Sequence, residues 1–253
     1  MNLQVWYDAQ LCDAWSFHPD QPYVMQRVHT LNLQAYNLDH HLHLLREASE
    51  YLFGFASLCS ANDAQRIISR LVERSRVNLS YSIPVVIRLD ARGRLSFEVE
   101  RPTFGYGAYL RAKRPRGVFV QCHAPQTVVQ TSVTEAVDAM TESRVAIQGG
   151  EVAVWTDEYG GLVSRPWRPI FAAYRNRVYT PQTHTSVEYA VACRAIQRAG
   201  YELEVRPISG EALSRMDEIF VVDIMGVSAL SEIRQHRLLS AVAKRVADKM
   251  EPK

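Results

Sequence analysis

The distribution of apolar and polar positions divides the chain into short strands and helices of mixed order. Residues 3–8 and 23–31 alternate in the way of half-buried strands. Within 39–51, Leu42, Leu45 and Ala48 recur at helical steps, with Asp39 at the expected N-cap. A second helix is predicted over 61–74, where Ile67, Ile68 and Leu71 share one side. Residues 80–89 and 94–99 read as a hairpin turning over 90–93. The Gly/Pro-containing, basic stretch 103–117 reads as a connector, and 118–122 as a short strand.

The second half predicts a helix over 131–146, a strand over 152–156 and a two-glycine turn over 157–161. Strands over 163–173 and 177–179 follow, then a helix over 187–199 closed by Gly200. Strands over 202–207 and 218–223 and a C-terminal helix over 231–249 complete the reading. Strands and helices mix without strict βαβ alternation, which predicts an α+β protein in two halves. The predicted boundaries are 1–104, a connector at 105–117, and 118–253.

Composition narrows the function classes. The 253 residues are 47% apolar with a net charge of +2, so a sizeable core is available and no overall field favours nucleic acid or membrane. No apolar run approaches the roughly 20 residues of a membrane span. The start MNLQVWYDAQ lacks the pattern of a signal peptide, so a cytoplasmic protein is expected. Cys12, Cys59, Cys122 and Cys193 form no CxxC pair, which predicts reduced thiols and no zinc site. His40 and His43 lie one helical turn apart, but no third metal ligand accompanies them. Of 29 basic residues only Lys113, Lys244, Lys249 and Lys253 are lysines. Arginine stays protonated, so a mechanism needing an amine nucleophile has four candidates.

Four stretches, in order, carry a family resemblance. Tyr36–Leu45 (YNLDHHLHLL) is similar to F-x-L-x-x-H-L-x-R-L, and 151–171 (EVAVWTDEYGGLVSRPWRPIF) to D-E-x-L-L-x-D-x-x-G-x-V-x-E-G-x-x-x-N-I-F. Val178–Pro181 matches L-x-T-P, and 216–222 (MDEIFVV) matches A-D-E-L-F-x-T. Over roughly residues 20–240 the chain resembles the class IV aminotransferase and aminodeoxychorismate lyase family. The resemblance implies a two-domain, D-amino acid aminotransferase-like fold of the fold-type IV pyridoxal-phosphate (PLP) enzymes. It also implies a cleft between the domains and a homodimer.

The same resemblance places Gln130 where the family's cofactor-binding lysine stands; no lysine occurs between Lys113 and Lys244. Leu44, Ser164, Glu188 and Ile224 fall near the family's other cofactor anchors. The expectation is therefore an enzyme that binds no PLP and works by acid–base chemistry on a small carboxylate-bearing metabolite. The step would be a lyase, isomerase, cyclase or condensation reaction, with specialised biosynthesis as a setting. His29, Gln130 and Arg168 are the expected catalytic residues, and Met25, Arg27, Ser164, Trp167 and His123 the substrate-binding ones. Arginines suit a carboxylate through paired hydrogen bonds, and histidines move protons near neutral pH. No metal or nucleic-acid partner is expected. A non-catalytic binding or scaffold homologue and a genuine PLP-dependent lyase or aminotransferase are the alternative readings.

Overall fold

The computed structural model describes residues 3–7, 10–14, 17–57, 59–105, 107–123 and 127–250. In chain order the strands and helices begin β1 (Gln4–Tyr7), β2 (Gln10–Asp13), β3 (Tyr23–Leu31), β4 (Gln34–Ala35), α1 (Leu38–Phe53), α2 (Ala61–Arg74), β5 (Ile83–Asp90) and β6 (Leu95–Val99). They continue with β7 (Gly117–Gln121), β8 (Gln130–Thr131), α3 (Ser132–Ile147), β9 (Val152–Thr156), β10 (Ile170–Tyr174), β11 (Arg177–Thr180), α4 (Val187–Arg198) and β12 (Glu202–Val205). The last elements are α5 (Gly210–Leu213), β13 (Glu218–Asp223), β14 (Gly226–Ala229), β15 (Glu232–Ile233), β16 (His236–Arg237) and α6 (Ala241–Ala247). The described residues cluster into two compact units. The first is drawn from Met1–Tyr106 and Thr127–Val133, the second from Gly107–Gln126 and Thr134–Glu251. The α+β class is as the sequence predicts.

Unit 1 is an antiparallel sheet in the order β2-β1-β6-β5-β3-β4, with β8 also pairing β3. Alternation along β3 gives its two faces different work. Val24 and Val28 join Leu42, Leu45, Ile68, Leu71 and Phe97 in the core under α1 and α2. Met25, Arg27 and His29 take the other face. The predicted 61–74 helix is observed over those residues, started by Ser60, whose side chain accepts from the Asp63 amide. Helix α1 starts one residue before Asp39: its N-cap is Asn37 in the left-handed region, without a side-chain cap. Asn is among the few residues that visit that region readily.

Unit 2 has a five-stranded sheet, β12-β11-β10-β13-β14, in which only β11 and β12 run parallel. A parallel β7–β9 pair and a β15–β16 hairpin accompany it. All six residues of β13 are buried, as expected of a central strand covered on both faces. Ile170, Ala172, Ile219 and Val221 enter one core cluster with Val152 and Val154. Phe171 lies on the opposite face, stacked on Phe220 at 5.3 Å and on Tyr189 of α4 at 6.2 Å. Gly200 follows α4 at φ +82°, the conformation a helix-ending glycine supplies.

Two predicted spans are corrected. The strand expected over 163–173 exists only from Ile170, because Pro166 and the buried polar residues Ser164 and Arg165 shape a loop. The helix expected over 231–249 shrinks to α6. Arg234 (φ 46°) and Gln235 (φ 65°) turn the chain back as a hairpin, burying Ile233 and Leu238 in the unit 2 core.

Glu218 determines where α6 begins. Its buried carboxylate accepts from the Val242 amide at 2.9 Å and the Ala243 amide at 3.0 Å, serving as a cap from a distant strand. Glu218→Ala should lower the unfolding free energy by about 1–2 kcal/mol, the scale of a lost cap. Chemical denaturation checks this; an unchanged midpoint would refute the capping role.

Candidate functional site

Strand β3 assembles the polar set of unit 1. Met25 pairs with Gln130 of β8 across the ladder, and both are buried. The Arg27 guanidinium donates through Nη1 to the Gln130 Oε1 and through Nε to Glu100 Oε1 at 3.2 Å. Two residues along the same face, His29 Nδ1 lies 2.7 Å from Ser82 Oγ, and the His29 ring is 5.1 Å from that of Phe104. Met25, Arg27, His29 and Gln130 are therefore one constellation. Glu100, Ser82 and Phe104 join them without having been singled out in the sequence, since they flank β5 and β6, far along the chain. On the opposite face of β3, Gln26 Oε1 meets His41 Nδ1 at 2.7 Å. Leu44, 1% exposed, sits in the apolar core of this unit.

In unit 2 three connections converge on one end of the five-stranded sheet. Strand β10 runs antiparallel to both β11 and β13. Consequently the segment entering β10, the segment leaving β11 and the β13–β14 turn lie together. Ser164 Oγ accepts from the Ile170 amide at 3.2 Å and meets His184 Nε2 at 2.9 Å. Burial lowers the His184 pKa to about 4. Its ring is therefore neutral near pH 7, and Nε2 and the Ser164 hydroxyl share one hydrogen bond. Helix α4 begins at this end, with Ser186 capping the Tyr189 amide.

The arginines here are already matched. Arg168 Nε donates to Asp223 Oδ2 at 2.8 Å and its Nη1 to Glu142 Oε1 at 2.9 Å. Burial opposes the Arg168 charge, but these two carboxylates outweigh it and raise its pKa. Arg165, 4% exposed, pairs with Asp138 and lies 4.4 Å over the Trp155 ring. Burial pulls the Arg165 pKa down to about 10, still far above neutrality. Trp167 Nε1 donates to the second Asp138 oxygen at 2.7 Å. His123 is exposed just beyond β7, after the half-buried Cys122; both lie outside the strand predicted to carry them. Among the described residues no cluster of three or more metal-ligating side chains occurs.

The family model for amino-transferase class IV matches residues 25–227. The chain belongs to that family. No curated protein matches it in sequence. Solved structures show the same fold at low identity. The branched-chain aminotransferase of Thermoproteus uzoniensis, with norvaline, is 18% identical with a TM-score of 0.79, covering 98% of this chain and 93% of that one. An aminotransferase from Brucella abortus bound to PLP is 14% identical with a TM-score of 0.81, covering 98% of both. The T.th. branched-chain amino acid aminotransferase complexed with N-(5'-phosphopyridoxyl)-L-glutamate is 12% identical with a TM-score of 0.78, covering 98% of this chain and 92% of that one.

These relatives overturn the expectation that no cofactor is used: two of them carry PLP or a phosphopyridoxyl adduct, which points to a PLP cofactor. Within the family's frame, this chain's residues fit a phosphorylated pyridine held by hydrogen bonds. The hydroxyl and imidazole of Ser164 and His184 and the first turn of α4 lie at one sheet end, where the helix N-terminus favours an anion and Glu188 in the same turn opposes one. The four lysines stand elsewhere in the sequence than these residues. Lys113 pairs with Glu151, Lys244 lies on α6, and Lys249 and Lys253 follow it. His184 had no signal in the sequence beyond its place after Thr180–Pro181; its pairing with Ser164 is tertiary.

Two histidines, His41 buried and His184 half-buried, make the fold acid-sensitive. Burial, reinforced by His29 and His40, lowers His41 to about 3, and burial lowers His184 to about 4. Unfolded histidines take up protons near pH 6.5, whereas these stay neutral while folded. Their stabilisation is complete above about pH 6.5 and is lost as pH falls toward the folded values. Thermal midpoints should therefore drop between pH 7 and pH 4.5, and His41→Gln should shallow that slope. An equal slope in the variant would contradict the assignment.

Proposed function

We propose that this chain binds PLP, or its amine form pyridoxamine 5'-phosphate, without a covalent lysine link, and acts on a small amino or keto acid. The family match over 25–227 supports the cofactor and substrate class. The Ser164–His184 hydrogen bond beside the start of α4 is the observation that carries the site. When bound, the cofactor supplies an electron-withdrawing ring for chemistry at an amine-bearing carbon.

In unit 2 the remaining work falls to three residues. Ser164 holds the neutral His184 ring in one orientation, and His184 presents an uncharged imidazole at neutral pH. Arg168 is fixed by Asp223 and Glu142, so it holds the segment entering β10 in place near Ser164. Unit 1 is proposed separately as a carboxylate-binding set, in which His29, oriented by Ser82, carries protons. Arg27 offers a guanidinium to a carboxylate by exchanging a contact with Glu100 or Gln130. Gln130 supplies an amide that positions Arg27 and offers no nucleophile. Met25 is fully buried and supports the Arg27 face without reaching substrate, Trp167 contributes apolar contact, and the exposed His123 is the remaining candidate for substrate contact. A homodimer is the proposed assembly.

Spectroscopic titration of the purified chain with PLP and with pyridoxamine 5'-phosphate tests this. Saturable binding that desalting removes and borohydride does not fix is expected. Loss of one hydrogen-bonding group in His184→Ala should weaken it by about tenfold. A borohydride-fixed lysine adduct would overturn the non-covalent mode, and no binding of either compound would overturn the cofactor assignment.

A further inference from the structure

Unit 1 carries a concave surface built from residues outside the candidate site. A groove of about 540 Å³ runs beside α2 and is lined by Trp6, Leu11, Asp63, Arg66, Ile67, Arg70, Leu71 and Arg74. Its apolar floor has a structural origin. Trp6 and Leu11 are cross-strand neighbours on β1 and β2, and β2 is the edge strand of the sheet. Trp6 packs edge-on against Phe97, 5.5 Å away, so this is the face that α1 and α2 cover. The helix layer stops short of the edge, and Leu11 remains 39% exposed.

The rim is basic and regular. Arg66, Arg70 and Arg74 follow one another every four residues, so their Cα atoms are about 6 Å apart along the helix. Among the described residues, Asp63 is the one acidic residue lining the groove. It is held by Arg66 and by the Ser60 hydroxyl at 2.6 Å, and these contacts keep its pKa below the usual carboxylate range. Arg66 is thereby matched. Arg70 and Arg74 are exposed and have no ion pair or hydrogen bond from their side chains among the described residues. Two unmatched guanidinium groups thus border an uncovered apolar strip.

We propose that this groove docks an acidic amphipathic helix from a partner protein. A helix laid beside α2, at the usual interaxial distance of about 8–10 Å, continues the helix layer over β2. Its apolar stripe covers Leu11 and the open side of Trp6. Carboxylates at its every fourth residue repeat at the same spacing of about 6 Å as the arginines and pair with Arg70 and Arg74. The fit is of charge and of period together. A free small anion would satisfy the arginines and leave the apolar strip bare. A lipid surface would need a convex or flat basic face, whereas this one is recessed.

Fluorescence anisotropy of the full chain with a fluorescein-labelled synthetic helical peptide tests the proposal. The peptide carries glutamates at every fourth position flanking a leucine stripe; its twin has lysines in place of the glutamates. Saturable binding of the glutamate peptide is expected, with no binding of the lysine twin. The doubly substituted Arg70→Glu, Arg74→Glu chain should bind at least about tenfold more weakly, since each change replaces an attractive pair by a repulsive one. Leu11→Asp should weaken binding through the apolar strip. All three substituted positions are exposed, and an unchanged thermal midpoint verifies that the fold persists. The proposal is overturned if the glutamate peptide does not bind, if the arginine substitutions leave binding unchanged, or if the lysine twin binds equally. It is also overturned if citrate or phosphatidylserine vesicles bind in an arginine-dependent way while the peptide does not. Because none of these residues belongs to the Ser164–His184 or Arg27–Gln130 sets, cofactor binding is unaffected in every arm.

Discussion

A guanidinium leaves water at great cost unless a carboxylate meets it, and the polar interiors of both units are arranged by that demand. In unit 2, Arg165 lies nearly fully buried between Asp138 and the face of Trp155, while Trp167 shares the same carboxylate. Arg168 reaches Asp223 and Glu142. These contacts tie the segment entering β10 to α3 and to the end of β13. The loop carrying Ser164 therefore holds its shape although Pro166 keeps it out of any sheet. The Ser164–His184 contact depends on that rigidity, because a hydrogen bond positions its partners only when both ends are fixed.

Unit 1 solves a similar problem with a single strand. The alternation of β3 puts Val24 and Val28 under two helices and Met25, Arg27 and His29 on the other side. A slip of one residue would send Arg27 into the apolar core and expose the valines, so register here is strongly specified. Arg27 bridges Glu100 and Gln130, joining the chain just past β6 to the returning β8. Polar chemistry and strand registry are thus secured by the same contacts.

The sequence was legible where periodicity was local and strong. Helix 61–74, strands 23–31, 152–156 and 218–223, and the shared face of Met25, Arg27 and His29 are all visible in it, because burial patterns of one element suffice to show them. The family was legible because four motifs keep their order. The C-terminal segment was misread because apolar residues such as Ile233 and Leu238 fit a helical period, while the turn at Arg234 and Gln235 has no glycine or proline to announce it. Partners such as Asp138 for Arg165, Ser82 for His29 and His184 for Ser164 are set by tertiary packing, and no spacing in the chain encodes them. The cofactor was misjudged by weighing individual anchors, chiefly Gln130, against the family frame; the frame carries the cofactor and the anchors bear on how it is held.

The return of the chain to β3 has a consequence for how unit 1 comes into being. Residues from Thr127 to Val133 belong to it, although the intervening segment from Gly107 belongs to unit 2. A fragment ending at the connector would therefore lack β8, leaving the Val24–Met25 end of β3 without its neighbour and Arg27 without Gln130. During synthesis the sheet stays incomplete until residue 131 has emerged, after the unit 2 segment from Gly107 to Gln126 has been made. The unit is one body in space and two pieces in time, so it cannot be excised, exchanged or duplicated by a single cut in its coding sequence.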